Sequence, residues 1–320
     1  MPDAPLITIG ITSFNAEDTI LRALRSALEQ DWPNTEIIIV DDCSEDESSA
    51  VVEKAIFDVR RARLVRHAVN RGTAGARNTI LAEAKGEFVA FFDDDDESRP
   101  ERIRLQYETL HDYEKSSRRD LVACYASGAR RYPNGYELDM PAIGSRAVIP
   151  RGDMVADYLL FNARRAQVFY GSGTPTCALM ARHATLRVVG GFDESLRRVE
   201  DVDFAIRLAL AGGHFIGCSA RLFLQHATVA EDKTPRANLD AELRLIEKHS
   251  AYLKRRHRYD YARAWFYVRF YHFSGQRRKF ITALLALLLR HPISGTRHMI
   301  RSFPARRIHE RSMRALPHAR

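Results

Sequence analysis

The segment FVAFFDDDDESRPERI, residues 88–103, places four consecutive aspartates directly after five apolar residues. Such an apolar run is typical of a strand that is buried on both faces of a sheet. Carboxylates a few ångströms apart repel one another, so the four side chains need either water or a cation among them. A simpler interpretation is that the acids only favour the dipole of a following helix, RPERIRLQYETL.

Three further runs of this kind precede the segment and alternate with helical patterns. The predicted strands are Leu6–Thr12, Glu36–Asp42, Arg63–His67 and Glu87–Asp96. Nearly continuous apolar strands that alternate with helices indicate a parallel sheet covered by helices on both faces. The sequence therefore predicts an α/β fold with a Rossmann-like mixed, mainly parallel sheet flanked by helices.

The four strands end in polar clusters, which are TSFN at 12–15, DDCSED at 41–46, NRGTAGARN at 70–78 and DDDD at 93–96. Ligands of such sheets bind beyond the carboxyl ends of the strands, so we expect these clusters to lie at one edge. Asp41 and Asp42 lie at the same edge as the four aspartates, which favours a hard divalent cation, Mg²⁺ or Mn²⁺, over a solvated run of charge.

Two other motifs allow two interpretations each. Gly72, Gly75 and Arg77 suit a phosphate site, but the same residues suit the start of a helix. In VEDVDF at 199–204, Glu200 and Asp201 suit a general base or a plain helix cap. His226 ends the predicted strand LFLQH, where a hydrogen-bonded histidine is more common than a metal ligand.

Composition limits the cellular setting. The four cysteines lie far apart with no zinc spacing, which predicts reduced thiols in a cytoplasmic protein. The N-terminus lacks a basic and apolar leader, so we expect no secretion. The longest apolar run, 280–289, is about half of the roughly 20 residues that a membrane span needs. Residues 251–320 contain 17 Lys and Arg against 2 Asp and Glu, whereas residues 1–250 contain 32 against 39.

Taken in order, these motifs resemble the inverting family 2 glycosyltransferases, which have the A-type nucleotide-sugar-binding fold. The resemblance covers about residues 5–230 and rests on TSFN, VDDCSED at 40–46, NRGTAGARN, FFDDDDE at 91–97, GGFDE at 190–194, EDVDF at 200–204 and His226. It implies a metal-dependent enzyme that moves a sugar from a nucleotide sugar, with a UDP-sugar as the expected donor, to a hydroxyl acceptor with inversion.

The resemblance also assigns roles to single residues. The nucleotide-sugar-binding residues it implies are Thr12, Asn15, Asp41, Asp42, Arg77, Asp93 and Asp94, with Arg77 near the diphosphate. The metal ligands it implies are Asp95, Asp93 and His226, although Asp94 and Asp96 fit the same Asp-x-Asp spacing. Asp201 becomes the catalytic base with Glu200 beside it. On this assignment Asp96 starts the following helix.

The sequence pattern becomes helical and then basic-aromatic from about Asn238, so we predict a catalytic domain at 1–237 and a helical, basic extension at 238–320. Within the catalytic domain, residues 1–120 would bind the nucleotide and residues 121–237 the acceptor. Family acceptors are glycans or lipid-linked sugars of cell-surface polysaccharide, lipopolysaccharide or glycolipid assembly.

The basic tail, residues 251–320, suggests peripheral contact with an anionic membrane, on the cytoplasmic face of the inner membrane. Packing on the catalytic domain, a solvated face and an oligomer contact are alternatives. We predict no nucleic-acid binding, because no recognised module is readable. Rival functions are a nucleotidyltransferase of related fold and a non-catalytic nucleotide-sugar-binding protein.

Overall fold

The sheet that carries the clusters is seen in a computed structural model of the chain, which describes residues 4–227 and 234–301. These residues form two compact units, which we describe separately. The first unit contains residues 4–131, 139–156 and 164–226, and the second contains 132–138, 157–163 and the described residues from 227 onward.

The first unit is built on a sheet that has nine strands among the described residues. The strands are β1 (Ile7–Ser13), β2 (Thr35–Asp41), β3 (Ala62–Arg66), β4 (Phe88–Asp93), β5 (Glu97–Ser98), β6 (Val122–Arg131), β7 (Glu137–Met140), β8 (Leu179–Arg182) and β9 (His214–His226). Their order is β3-β2-β1-β4-β8-β6-β9-β5, and β7 pairs with β6. Strands β1 to β4 run parallel to one another, and β8 is antiparallel to both β4 and β6.

Helices alternate with the strands of the first unit and make up most of the second unit. They are α1 (Ile20–Leu28), α2 (Ser48–Ile56), α3 (Gly72–Glu83), α4 (Arg102–Ser117), α5 (Asp153–Phe161), α6 (His183–Val188), α7 (Glu200–Leu210), α8 (Pro235–Lys248), α9 (Ser250–Arg255), α10 (Tyr259–Phe273) and α11 (Arg277–Arg290). Residues 292–301 are also helical. The predicted α/β fold with a mixed, mainly parallel sheet and a helical C-terminal region is confirmed.

The core lies between the sheet and the helices. Every residue of β2 is buried, as a strand covered on both faces requires. Helix α3 approaches β1 closely at Gly10, where a Cβ atom would lie 2.4 Å from Cγ2 of Ile80. A side chain at position 10 would therefore have to displace the side chain of Ile80.

Two local predictions differ from the structure, whereas the helix-start interpretation of NRGTAGARN agrees with it. The two strands predicted near HFIGCS and LFLQH are one strand, β9, whose pairing with β6 shifts register between Tyr125 and Gly128. The irregular pairing lets the polar residues between the two apolar runs stay in the strand. The predicted strand TCALMAR begins with a 3₁₀ turn at Thr176–Ala178. The glycines of NRGTAGARN lie in the first turns of α3.

The second unit is helical, and α10 packs against α8 and α11. Its core contains Tyr261, Val268 and Leu287, with Trp265 and Phe280 beside them. No helix in the described ranges is both long and apolar enough to cross a membrane. Residues 302–320 of the predicted basic tail lie outside the described residues, and the functional boundary predicted near residue 237 stays a prediction.

Candidate active site

The parallel register of the strands brings three of the predicted residues to one edge of the sheet. Ser13 pairs with Asp41 across β1 and β2, and Thr12 pairs with Asp93 across β1 and β4. The acidic run therefore starts beside the ends of both neighbouring strands. This is the edge at which open α/β sheets bind their ligands.

Asp93 is the last residue of β4, the other three aspartates follow it, and the acidic residues of this run have different partners. The backbone amide of Phe14 donates to Oδ2 of Asp94 at 2.9 Å, and Arg22 donates to the backbone oxygen of Asp95 at 2.6 Å. The amide of His226 donates to Oδ1 of Asp96 at 3.2 Å. Burial raises the pKa of Asp94 to about 8, against the hydrogen bond from Phe14.

Asp93, Asp96 and Cys177 form a cluster whose potential ligand atoms all lie within 4.8 Å of one another. Asp96 is buried, and among the described residues its Oδ2 has no hydrogen-bond partner other than the weak donor Cys177. Burial and the nearby Asp93 and Asp95 raise the pKa of Asp96 well above its usual range. A cation at this point would offset the repulsion between the carboxylates of the DDDD run.

The cluster fits a hard divalent ion through its two carboxylates. Mg²⁺ and Mn²⁺ take oxygen ligands, and they bind protein through one or two carboxylates with water and substrate phosphate in the remaining positions. The Cys177 thiol suits such an ion poorly, because burial and the two aspartates raise its pKa and keep it protonated. Cys177 therefore forms a wall of the site beside the carboxylates.

The predicted metal set differs from the set that the structure brings together. The cluster of described residues pairs Asp93 with Asp96 and includes neither Asp95 nor His226. His226 lies next to it, with Nε2 at 2.7 Å from Oε1 of Glu97. The expectation that Asp96 only starts the next helix is wrong, because Asp96 points into the cluster and α4 begins at Arg102.

Arg102 adds a buried positive charge behind the cluster. Its guanidinium donates to the backbone oxygen of Phe91 at 3.0 Å, to Oγ of Ser98 at 2.9 Å and to Oε1 of Gln106 at 3.0 Å. Because these partners are neutral, burial lowers the pKa of Arg102 to about 10, while the charges of Asp96 and Asp93 oppose that change. Arg102 thus offsets part of the negative charge of the aspartates.

Arg77 connects the cluster of Asp93 and Asp96 to helix α7. It is buried, and its guanidinium lies 2.7 Å from Oε1 of Glu200 and 3.4 Å from Oδ1 of Asp93. The two carboxylates raise the pKa of Arg77 against the effect of burial. Glu200 and Arg77 are therefore partners of each other in this structure, across 123 positions of sequence.

Asp201 lies in the same charged network at the start of α7. Burial and the adjacent Glu200 raise its pKa to about 7, and the charge of Arg77 opposes this increase. A carboxylate with a pKa near neutrality is suited to accept a proton and release it again. The interpretation of Asp201 as a base thus gains a physical basis that the sequence could not supply.

Asp41 and Asp42 are engaged in holding the loops of the sheet edge. Asp41 accepts hydrogen bonds from Ser44 and, at 2.7 Å, from Oγ of Ser49. Asp42 accepts from the backbone amides of Arg71 at 2.8 Å and Gly72 at 2.6 Å. Gly72 has φ +77°, so the turn into α3 favours glycine.

The remaining predicted nucleoside residues belong to the loop after β1. Asn15 is exposed with φ 48°, and its Oδ1 accepts a hydrogen bond from the amide of Glu45 at 2.9 Å. Thr12 is half-buried at the end of β1. The structure thus places Thr12 and Asn15 near the acidic run, and their contact with a nucleoside stays a prediction.

Sequence reasoning missed Cys177 and the buried arginine at position 102. Cys177 had no signal, because it precedes a strand far along the chain and was interpreted as a core thiol. Arg102 had a weak signal, since it follows the acidic run and lies in the first turn of the predicted helix RPERIRLQYETL. The sequence allowed Asp96 as a metal ligand, but the Asp-x-Asp spacing fits several pairs within the run and could not select it.

We predict that replacing Arg77 by methionine destabilises the protein strongly. The change leaves Glu200 and Asp93 without their buried cation, which typically costs about 3 kcal/mol in the free energy of unfolding. The control is Arg104→Met, which removes an ion pair with Asp31 on the surface, where solvent screens the interaction and little stability is lost. Urea unfolding followed by circular dichroism measures both, and equal midpoints for the two variants would contradict the prediction.

Parts of this chain are similar in sequence to known glycosyltransferases. The family model for glycosyl transferase family 2 matches residues 8–151. The succinoglycan biosynthesis protein ExoO of Rhizobium meliloti is 41% identical over 104 residues, which are 32% of this chain and 29% of that protein. The Escherichia coli UDP-Glc:alpha-D-GlcNAc-diphosphoundecaprenol beta-1,3-glucosyltransferase WfaP is 40% identical over 93 residues, which are 28% of this chain and 36% of that protein.

A likeness among solved structures extends further along the chain. The crystal structure of S. aureus TarS 1-349 in complex with UDP-GlcNAc has a TM-score of 0.59 and covers 88% of this chain and 80% of that one. The complex of the same protein with UDP has a TM-score of 0.56 and covers 89% and 81%. At 21% sequence identity, both similarities concern the fold, which is of the glycosyltransferase A type.

Proposed function

The chain carries a glycosyl transferase family 2 domain at residues 8–151, and from that premise we propose that it transfers a sugar from a nucleotide sugar to an acceptor hydroxyl with inversion. The observation that carries the proposal is the convergence of Asp93 and Asp96 at the end of β4, in one charged network with Arg77 and Asp201. The proposed product belongs to cell-surface polysaccharide, lipopolysaccharide or glycolipid assembly.

The proposed donor is a UDP-sugar, and the proposed acceptor is a glycan or a lipid-linked sugar. Support for the donor comes from TarS, whose fold this chain resembles and which has been crystallised with UDP and UDP-GlcNAc. Support for both comes from WfaP, which is named for UDP-Glc and for an acceptor on diphosphoundecaprenol. With such an acceptor, we also propose that the protein works peripherally at the cytoplasmic face of the inner membrane.

Asp93 and Asp96 would hold the divalent ion, in place of the set Asp93, Asp95 and His226 that the sequence predicts. When bound, Mg²⁺ or Mn²⁺ supplies positive charge to the departing nucleoside diphosphate. Arg77 forms ion pairs with both Asp93 and Glu200 and so holds the two carboxylates in place. The buried charges are thereby fixed before the substrate arrives. Such preorganised charges and the positioning of the reactants supply most of the rate enhancement in sites of this kind.

Asp201 acts as the base in this proposal. It accepts the proton of the acceptor hydroxyl while the oxygen forms a bond to the anomeric carbon. The bond from that carbon to the diphosphate breaks on the opposite face, so the configuration inverts. Glu200 contributes by raising the pKa of Asp201 towards the operating pH.

The proposal is tested with the full chain and a panel of nucleotide sugars in the presence of Mn²⁺. We expect one or a few UDP-sugars to be hydrolysed slowly, and to be consumed faster when a suitable acceptor is added. A rival nucleotidyltransferase would instead release pyrophosphate from a nucleoside triphosphate. A protein that binds UDP-sugars tightly but turns over none, with any acceptor offered, would contradict the assignment as an enzyme.

The pH dependence of kcat/KM gives a sharper prediction. Asp201 must be deprotonated to accept a proton, and burial and Glu200 raise its pKa to about 7. Activity should therefore be present above pH 7 and fall about tenfold per pH unit below it. A profile that stays flat down to the ordinary range of an aspartate would show that a different group is the base.

A further inference from the structure

The outward face of α11 carries aliphatic side chains where a surface helix normally has polar ones. Ile281, Leu285 and Leu289 are 54%, 55% and 84% exposed, and they recur every four residues along one side of the helix. Ile293, in the helical segment that follows, is 67% exposed. We call these four residues the aliphatic stripe. A row of exposed aliphatic residues of this kind marks an interaction surface.

The inward face of α11 is already occupied. Leu287 lies in the core of the second unit, and Phe280, Ala283 and Leu284 pack beside it. The helix is therefore apolar on two sides, and packing against α10 accounts for one of them only. The stripe needs a separate explanation.

The first turn of α11 adds a second observation. Arg277, Arg278 and Lys279 are all exposed there, the turn has no acidic residue, and Gln276 provides no side-chain cap. Three cations at the amino end of a helix oppose the helix dipole, which favours negative charge at that end. An anionic partner at this turn would neutralise the three cations and would lie at the positive end of the helix dipole.

Charge decides among the partners. Residues 261–301 contain eight Lys and Arg and no Asp or Glu. A second copy of the chain docking on this face would bring cations against cations, whereas an anionic bilayer offers phosphates to the first turn and acyl chains to the aliphatic stripe. Helices that combine a basic cluster with exposed aliphatics lie in the interface plane of membranes.

We propose that α11 docks on an anionic phospholipid surface through the aliphatic stripe and the basic first turn, Arg277–Lys279. This inference builds on the proposed lipid-linked acceptor, but it concerns lipid contact alone and needs no sugar transfer. The sequence predicts membrane contact somewhere within residues 251–320, and this proposal assigns the contact to one face of α11.

The test is co-sedimentation of the full chain with vesicles of phosphatidylglycerol and phosphatidylethanolamine, and with vesicles of phosphatidylcholine only. We expect binding to the anionic vesicles that weakens with salt, and little binding to the neutral ones. One variant changes the stripe, Ile281→Ser, Leu285→Ser and Leu289→Ser, and a second changes the first turn, Arg277→Gln, Arg278→Gln and Lys279→Gln. Because each basic residue contributes about fivefold, the second variant should bind on the order of a hundredfold more weakly.

Two controls make the outcome specific. The charge control removes the same number of exposed cations from the first unit, Arg25→Gln, Lys54→Gln and Arg60→Gln, and it should bind vesicles as the unchanged protein does. Binding of UDP with Mn²⁺ should be the same in all variants, which separates this proposal from the proposed function.

Three results would overturn the proposal. If the first-turn variant binds as well as the charge control, other basic residues carry the contact. If vesicles of phosphatidylcholine bind equally well, the surface is not selective for anionic lipid. If the unchanged chain self-associates in analytical ultracentrifugation and the stripe variant does not, with no vesicle binding in either, the stripe is an interface between copies.

Discussion

Asp201→Asn should abolish sugar transfer while it leaves nucleotide binding intact. Asparagine keeps the size of the side chain but cannot accept the proton of an acceptor hydroxyl. Loss of a positioned base typically lowers the rate by 10²–10⁴-fold. Because Asp201 is close to Glu200 in a buried site, the substitution also removes a repulsive charge, so we expect no loss of stability.

The decisive measurement compares kcat with the dissociation constant of UDP in the presence of Mn²⁺. A base that acts only in the reaction lowers kcat, whereas a residue that shapes the pocket weakens UDP binding. Asp201→Glu serves as the control, since it keeps a carboxylate and should retain part of the activity. Normal turnover in Asp201→Asn would remove the base assignment, and a parallel loss of UDP binding would make Asp201 a binding residue.

The strands of the sheet edge could be predicted because their signal is local. β1, β2 and β4 are short apolar runs bounded by polar clusters, and their parallel pairing follows from the helices between them. Asp41 and Asp93 reach the same edge because β2 and β4 both run parallel to β1. The boundaries differ from the prediction by one residue in most cases, as in β3, which runs from Ala62 to Arg66.

The long-range contacts of the site had no such signal. Arg77 lies in a helix 123 positions before its partner Glu200. Cys177 reaches Asp93 and Asp96 from the 3₁₀ turn at Thr176–Ala178, which is far from both aspartates in sequence. Spacing within DDDD is compatible with several ligand pairs, and the turn after β4 decides which carboxylates converge. The local pattern of apolar and polar residues does not predict the path of this turn.

The identity of the metal-binding aspartates leads to the second large effect. We expect Asp96→Asn to weaken Mn²⁺-dependent UDP binding at least tenfold, and Asp95→Asn to leave it nearly unchanged. The reason is that Asp93 and Asp96 converge, whereas Asp95 lies outside their cluster. Two carboxylates hold a divalent ion far better than one carboxylate and one neutral amide, because only the carboxylate supplies negative charge.

The two variants are matched, since both change one aspartate of the same turn to its isosteric amide. Titration calorimetry of UDP with Mn²⁺ and again with EDTA isolates the part of the affinity that depends on metal. Asp96→Asn also lowers the repulsion in the cluster, so the variant should unfold at no lower temperature than the unchanged protein. The reverse pattern, with Asp95→Asn defective and Asp96→Asn normal, would restore the Asp93 and Asp95 register predicted from the sequence. It would also mean that the buried Asp96 serves to hold the His226 amide at the edge of the site.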